Sequence, residues 1–223
     1  MRDDNKKEEQ WVSDQANQAI LAGVRDFVAS EVAARYGHER AQALTSAIQT
    51  AQAELEQRYQ GWIVDAASRF HLSFMALIVA AYRALSDVMP KPDALTLVKR
   101  AVIEPTRDVI QASVRTALDA ASDPMRVLVE ASKQREVYFF GRTFGFERRQ
   151  DDDQAYLLLV TECFYHRFAV ANAAPELMTV LCQWDWIWAD AISPKRHGFS
   201  FELPTTLGYG GDACRFCFRR LIH

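Results

Sequence analysis

The sequence predicts an α+β protein, with a helical amino-terminal part packed on an antiparallel four-stranded sheet that carries a helix pair. Three observations predict it. From Gln10 to about Lys133 apolar residues recur at helical spacing with no strand signal between them. Beyond Lys133 the texture changes to aromatic, glycine-punctuated runs of strand length. Two helical stretches then separate one pair of such runs from the next, which gives the order β-β-α-α-β-β. The expected division is a helical domain over 1–133 and an α+β domain over 134–223.

Taken in order, the first two helices run from Val12 to Tyr36 and from Glu39 to Tyr59. Both are rich in Ala, Gln and Glu, so they suit either packing or a projecting hairpin that binds a partner. The segment from Ala66 to Met89 is apolar almost all round and is expected to be the central helix. Gly37, Gly61, the Pro90 and Pro92 pair, Pro105 and the Ser122 to Pro124 turn punctuate this half. In the second half, Val137 to Glu147 reads as a first strand, Asp151 to Asp153 as a solvated turn and A-Y-L-L-L-V-T as its partner strand. The helical stretches Thr161 to Ala173 and Pro175 to Ile192 follow, and F-S-F-E-L, the turn Y-G-G-D and C-R-F-C-F-R-R close the chain as a second hairpin.

With 223 residues, 49% of them hydrophobic, the chain can bury one substantial core or two small ones. A formal charge of -3 supplies no basic face, so nucleic acid is not an expected partner. The longest apolar run, Leu72 to Tyr82, falls far short of the roughly 20 residues a membrane span needs, so no membrane association is expected either. The charged start M-R-D-D-N-K-K-E-E-Q lacks a signal-like apolar core behind it, and the expected location is cytoplasmic. Four cysteines are too few for a disulfide scaffold and read as thiols, ligands or core residues. No cofactor is expected, zinc being the one metal these thiols would suit.

The residues that point to chemistry lie in the second half. In L-C-Q-W-D-W-I-W, helical spacing puts Cys182 and Asp185 side by side on an apolar stripe with Met178, Leu181, Ala189 and Ile192. A carboxylate there must find donors, change its protonation state or meet a cation. In C-F-Y-H, Cys163 and His166 share a helix face near an amino terminus, which suits either an activated thiol or plain packing. Antiparallel packing of the two helices would bring Cys163, His166, Cys182 and Asp185 together as a Cys-His-Asp system. C-R-F-C superficially suggests a zinc knuckle, but in a strand Cys214 faces with Phe216 and Phe218 while Cys217 faces with Arg215 and Arg219. A mixed zinc site of Cys163, His166, Cys182 and Cys214 stays open. Trp184, Trp186 and Trp188 suit a dry pocket for a planar ligand, or equally a domain or subunit interface, so a homo-oligomer is compatible with them.

The ordered run C-F-Y-H, A-P-E-L, C-Q-W-D, F-x-F-E, T-L-G-Y-G and C-R-F-C-F resembles the L-2-amino-thiazoline-4-carboxylic acid hydrolase family, over about Cys163 to Phe218. The upstream H-L-S-F-M-A-L-I-V-A-A-Y-R-A-L also resembles its helical part. The resemblance implies a ring-opening hydrolase that breaks a C–N or C–S bond of a small cyclic amidine or isothiourea. It assigns Cys163, Cys182, Asp185 and Cys214 to the motif positions, with His166 as an added catalytic candidate and Trp184, Trp188 and Thr206 as substrate-binding candidates. Many members of the family it resembles carry an Arg two residues after the phenylalanine in the first strand of the second hairpin, where this chain has Leu203. The implied substrate then shifts towards a different or uncharged heterocycle. Two readings from other classes stand beside the enzyme: a non-catalytic small-molecule sensor and a structural zinc module.

Overall fold

Residues 14–221 are described by the computed structural model, with side chains from Asn17 onward. The charged start and the expected Val12 onset of the first helix lie outside them. The amino-terminal half is helical, as its periodicity predicts: α1 is Asp14–Tyr36, α2 His38–Arg58, α3 Ala66–Ser86, α4 Lys91–Ala120 and α5 Pro124–Arg135. The first two helices do not project. Leu21, Val24, Val28 and Val32 of α1 and Leu44, Ile48 and Leu55 of α2 are buried in the same core as α3, and the bidentate Arg100–Glu31 pair ties α1 to α4.

Helix α3 is the centre of the molecule, with almost every residue from Phe70 to Tyr82 buried. It starts at Asp65, whose carboxylate accepts the Ser68 amide at 2.7 Å while the Ser68 hydroxyl accepts the Asp65 amide at 3.0 Å. Such a reciprocal cap is worth about 1 kcal/mol. The second oxygen of Asp65 accepts the Arg142 amide at 2.7 Å, which pins the start of α3 to a segment far along the chain.

Pro105 does not break α4, contrary to its reading as punctuation. The 30-residue helix continues through it, and α1 packs alongside, with Gly23 facing the Pro105 ring. Tertiary packing outweighs the lost intrahelical bond.

The sheet is antiparallel throughout, with strand order β1-β2-β4-β3: β1 Gly145–Asp151, β2 Ala155–Glu162, β3 Phe199–Glu202 and β4 Cys214–Arg220. The four-stranded α+β architecture is therefore the observed one. The first strand starts later than its aromatic run suggests. Glu136–Phe140 form a π-helical turn continuing α5, and Gly141–Thr143 a 3-10 turn. The rings of Phe139, Phe140 and Phe144 all gather around His71, so this segment serves one surface instead of alternating between two. Asp152 makes the expected turn, its carboxylate accepting the amides of Gln154 and Ala155.

Between the hairpins lie α6, Phe164–Ala171, and α7, Met178–Trp184, the latter preceded by a 3-10 turn at Pro175–Leu177. Thr161 and Glu162 belong to β2, so the first of these helices starts later than expected. The second is shorter than Pro175 to Ile192: α7 stops at Trp184, turns follow, and Ala189–Ala191 form a 3-10 turn before the short α8, Pro194–His197. Phe164, Phe168, Leu177 and Leu181 join the α3 core, while Tyr156, Phe199 and Phe218 form a second core on the sheet. Among the described residues no helix is long and apolar enough to cross a membrane.

Candidate active site

A cavity of about 80 Å³ lies between the sheet, the end of α5 and the α6–α7 pair. The cavity-facing side of the sheet supplies Phe146, Leu158, Val160, Phe216 and Phe218. In the β2–β4 register Val160 stands opposite Cys214 and Leu158 opposite Phe216, so Cys214 joins this apolar face while Cys217, one step out of phase, does not. The C-R-F-C pair is thus split across the sheet, as the extended reading predicts.

Three thiols and one carboxyl converge here: Cys163, Cys182, Cys214 and Asp185 all line the cavity. Cys163 is the residue that caps α6, with extended backbone, φ -131° and ψ 118°. Its sulfur faces the first amides of that helix, but burial dominates and pushes the thiol up to about 12. Desolvation of the anion opposes the activation that a helix amino terminus would give, and the His166 and Tyr165 amides act in the lowering sense. Burial likewise pushes Cys214 up to about 12, although the Leu207 amide donates to its sulfur at 3.4 Å. Cys182 is raised by burial as well, with the Thr206 hydroxyl and the Gly208 amide acting to lower it.

The T-L-G-Y-G loop owes its first residue, Thr206, and its first glycine, Gly208, to this contact. Thr206 Oγ1 is buried beside the Cys182 sulfur and finds no hydrogen-bond partner of standard geometry. A Cβ on Gly208 would lie 2.6 Å from Cys182 Sγ and 2.8 Å from Met178 Cβ, so only glycine allows the loop to pass. Cys182 also lines a wider outer cleft of about 600 Å³ with Thr206, Tyr209 and Trp186. Cys182 is the residue common to the linings of cleft and cavity.

Asp185 ends α7 in helical conformation, φ -67° and ψ -12°, so its spacing from Cys182 survives although the helix stops there. Burial raises its carboxyl to about 6, and the Arg135 guanidinium works in the opposite sense. Burial pulls Arg135 below its usual range while Asp185 opposes that. Both line the cavity, and among the described residues neither makes a side-chain hydrogen bond or ion pair with the other or with a neighbour. The nearby Glu136 is different: it accepts Tyr156 Oη at 2.5 Å and Arg148 Nη2 at 2.6 Å, so its charge is already matched.

The remaining candidates separate. His166 is half-buried on α6 and does not line the cavity, because Cys163 is not helical and the expected shared face does not form. Trp188 lines the cavity, packed on Phe201 with ring centres 4.7 Å apart. Trp184 lies outside it, against Phe74, with its indole N–H donating to Thr106 at 3.3 Å. Thr206 belongs to the outer cleft. Three side chains escaped the sequence reading. Arg135 ends a helix like any surface arginine, and nothing local marks it as cavity-facing. Tyr165 lines the cavity and bonds His71, a partner 94 positions away. Among the described residues no three His, Cys, Asp or Glu side chains are grouped so as to hold a metal, and the four cysteines are free thiols.

The family model described as L-2-amino-thiazoline-4-carboxylic acid hydrolase matches residues 68–218, about two thirds of the chain, and spans every cavity-lining residue. No curated protein matches. Among solved structures, the crystal structure of Fe(II) unliganded H-NOX protein from K. algicida aligns at 14% identity over 92% of this chain and 96% of that one. Its TM-score is 0.34, a likeness too slight to argue from.

Proposed function

The chain belongs to the L-2-amino-thiazoline-4-carboxylic acid hydrolase family, and on that premise we propose that it opens the ring of a small cyclic isothiourea or amidine that also carries a carboxylate. One observation supports this above the others: Asp185 and Arg135 are charge-bearing groups of opposite sign that both line the cavity, each without a side-chain hydrogen bond or ion pair among the described residues. Leaving them so is costly unless a ligand completes them. An amidinium opposite Asp185 makes paired, charge-assisted hydrogen bonds, and a carboxylate opposite Arg135 does the same. Arg135 would then fill the role that Leu203 cannot, which restores a carboxylate-bearing substrate to the reading. The apolar walls, from Phe140, Trp188 and Phe216, would flank the ring.

In this reading Cys182 is the nucleophile. The three cavity thiols are held protonated by burial, so attack requires the thiol proton to leave as the C–S bond forms. The Asp185 carboxylate, one helical turn along, accepts it and returns it to the ring nitrogen or sulfur as that atom departs. Water then releases the acyl-type adduct from Cys182. Among the three thiols, Cys182 alone has both the Thr206 hydroxyl and a glycine amide at its sulfur and lines both the outer cleft and the cavity. Mass spectrometry of purified protein with 2-amino-thiazoline-4-carboxylate tests the assignment. A ring-opened product and a transient adduct on Cys182 support it, and turnover in Cys182→Ser close to that of the unaltered protein overturns it.

A further inference from the structure

His71 and Tyr165 form a buried couple that this reaction scheme leaves unused. The His71 ring is enclosed by Phe70, Phe139, Phe144 and Phe164 and has no solvent exposure. Its two nitrogens have one partner each. Nε2 lies 2.8 Å from the Phe139 carbonyl oxygen and Nδ1 lies 2.9 Å from Tyr165 Oη. A carbonyl can only accept, so Nε2 carries the proton. Burial holds the ring neutral, its pKa drawn down to about 4, which leaves Nδ1 as a bare acceptor. The Tyr165 O–H must therefore donate to His71.

That wiring fixes what Tyr165 shows to the cavity. Its proton is committed behind the wall, and its oxygen offers lone pairs to whatever lies inside. Tyr165 Oη stands near Cys163 and Asp185, both of which oppose its ionisation. It is the one phenol among the residues that line the cavity. A thiol or water placed against it meets a hydrogen-bond acceptor whose own proton is held by His71.

We propose that Tyr165, positioned by His71, is the hydrogen-bond acceptor that orients the water that releases the adduct; the role rests on the ring-opening reading above. As the water oxygen bonds to the adduct carbon, its proton passes to the Asp185 carboxylate, which lies near both Tyr165 and Cys182. Tyr165 and His71 both stay neutral, the phenol donating to Nδ1 and Nε2 donating to Phe139. When the carbon–sulfur bond to the enzyme breaks, Asp185 returns the proton to the departing Cys182 sulfur. Charge and protons balance with water as the sole co-reactant. Tyr165 is thus a catalytic residue, and His71 acts through it. The ionisable groups facing the couple are Asp65 on the His71 side, and Cys163 and Asp185 on the cavity side.

Tyr165→Phe keeps the ring packing and removes the acceptor oxygen, so it is the variant of choice. With 2-amino-thiazoline-4-carboxylate, its kcat is expected to fall by about 10²-fold or more with KM little changed, and the Cys182 adduct is expected to accumulate. The second arm needs no substrate: nitrogen NMR of His71 in the unaltered protein. It should show Nε2 protonated and Nδ1 bare across neutral pH, and Nδ1 should shift in Tyr165→Phe. Turnover in Tyr165→Phe equal to the parent's, or a His71 proton on Nδ1, overturns the proposal while leaving the ring-opening reading intact. A parent protein that opens no ring overturns that reading and this role together, whatever the NMR shows of the wiring.

Discussion

Replacing Asp185 by Asn should make the protein more stable near neutral pH while abolishing its chemistry. The carboxyl is raised from 3.8 to about 6 by burial, so in the folded protein its ionisation is opposed. A raised carboxyl pKa means that stability is complete while the group is protonated in both states, below 3.8. Stability then falls as pH rises from there through about 6, and levels off above. At about 1.4 kcal/mol per pKa unit the full loss is roughly 3 kcal/mol. Asn does not titrate, so the stability difference between Asp185→Asn and the parent should grow by that amount from about pH 4 to about pH 8. In a chain of this size it corresponds to a melting-temperature gain of roughly 6–12 °C across the range. Paired thermal or urea melts at several pH values measure it. A difference that stays flat with pH would refute the claim that Asp185 is held ionised at a cost.

Four further outcomes follow from the same geometry. If the Asp185 carboxylate accepts the Cys182 proton, kcat should rise with pH through about 6, the value its burial sets, and the pH–rate profile reads this directly. Cys182→Ser should reduce turnover on the order of 10³-fold or more, whereas His166→Ala, outside the cavity, should stay within about twofold; steady-state kinetics separates them. Arg135→Gln should raise KM for a carboxylate-bearing substrate about 10- to 100-fold and leave the decarboxylated analogue unaffected. Gly208→Ala drives a methyl group to 2.6 Å from Cys182 Sγ, so melts should show a loss of about 1–3 kcal/mol and turnover should fall with it.

The helices and the sheet were legible because they follow from period. The α3 segment is apolar all round, and β2 and β4 keep their alternation, which also foretold that Cys214 and Cys217 face apart. The limits of the aromatic run were not legible, because Phe139, Phe140 and Phe144 answer to His71, a partner distant in sequence. Pro105 misled for a similar reason: the helix around it is held by packing against α1, which is distant in sequence. Within the site, Cys182 with Asp185 was visible as a polar break in an apolar stripe. His166 looked equally good by spacing, but it rested on Cys163 being helical, and an extended cap residue points elsewhere. Arg135, Tyr165 and His71 carry no local signal; each gains its place from contacts that only the folded chain brings together.

The central claim is that the cavity opens the ring of a carboxylate-bearing cyclic isothiourea. Its most direct test is to incubate the purified protein with 2-amino-thiazoline-4-carboxylate and follow the ring by mass spectrometry. Conversion to a product heavier by one water is expected, lost in Cys182→Ser and in Asp185→Asn. Tight binding with the heterocycle returned unchanged would contradict it and mark the cavity as that of a sensor.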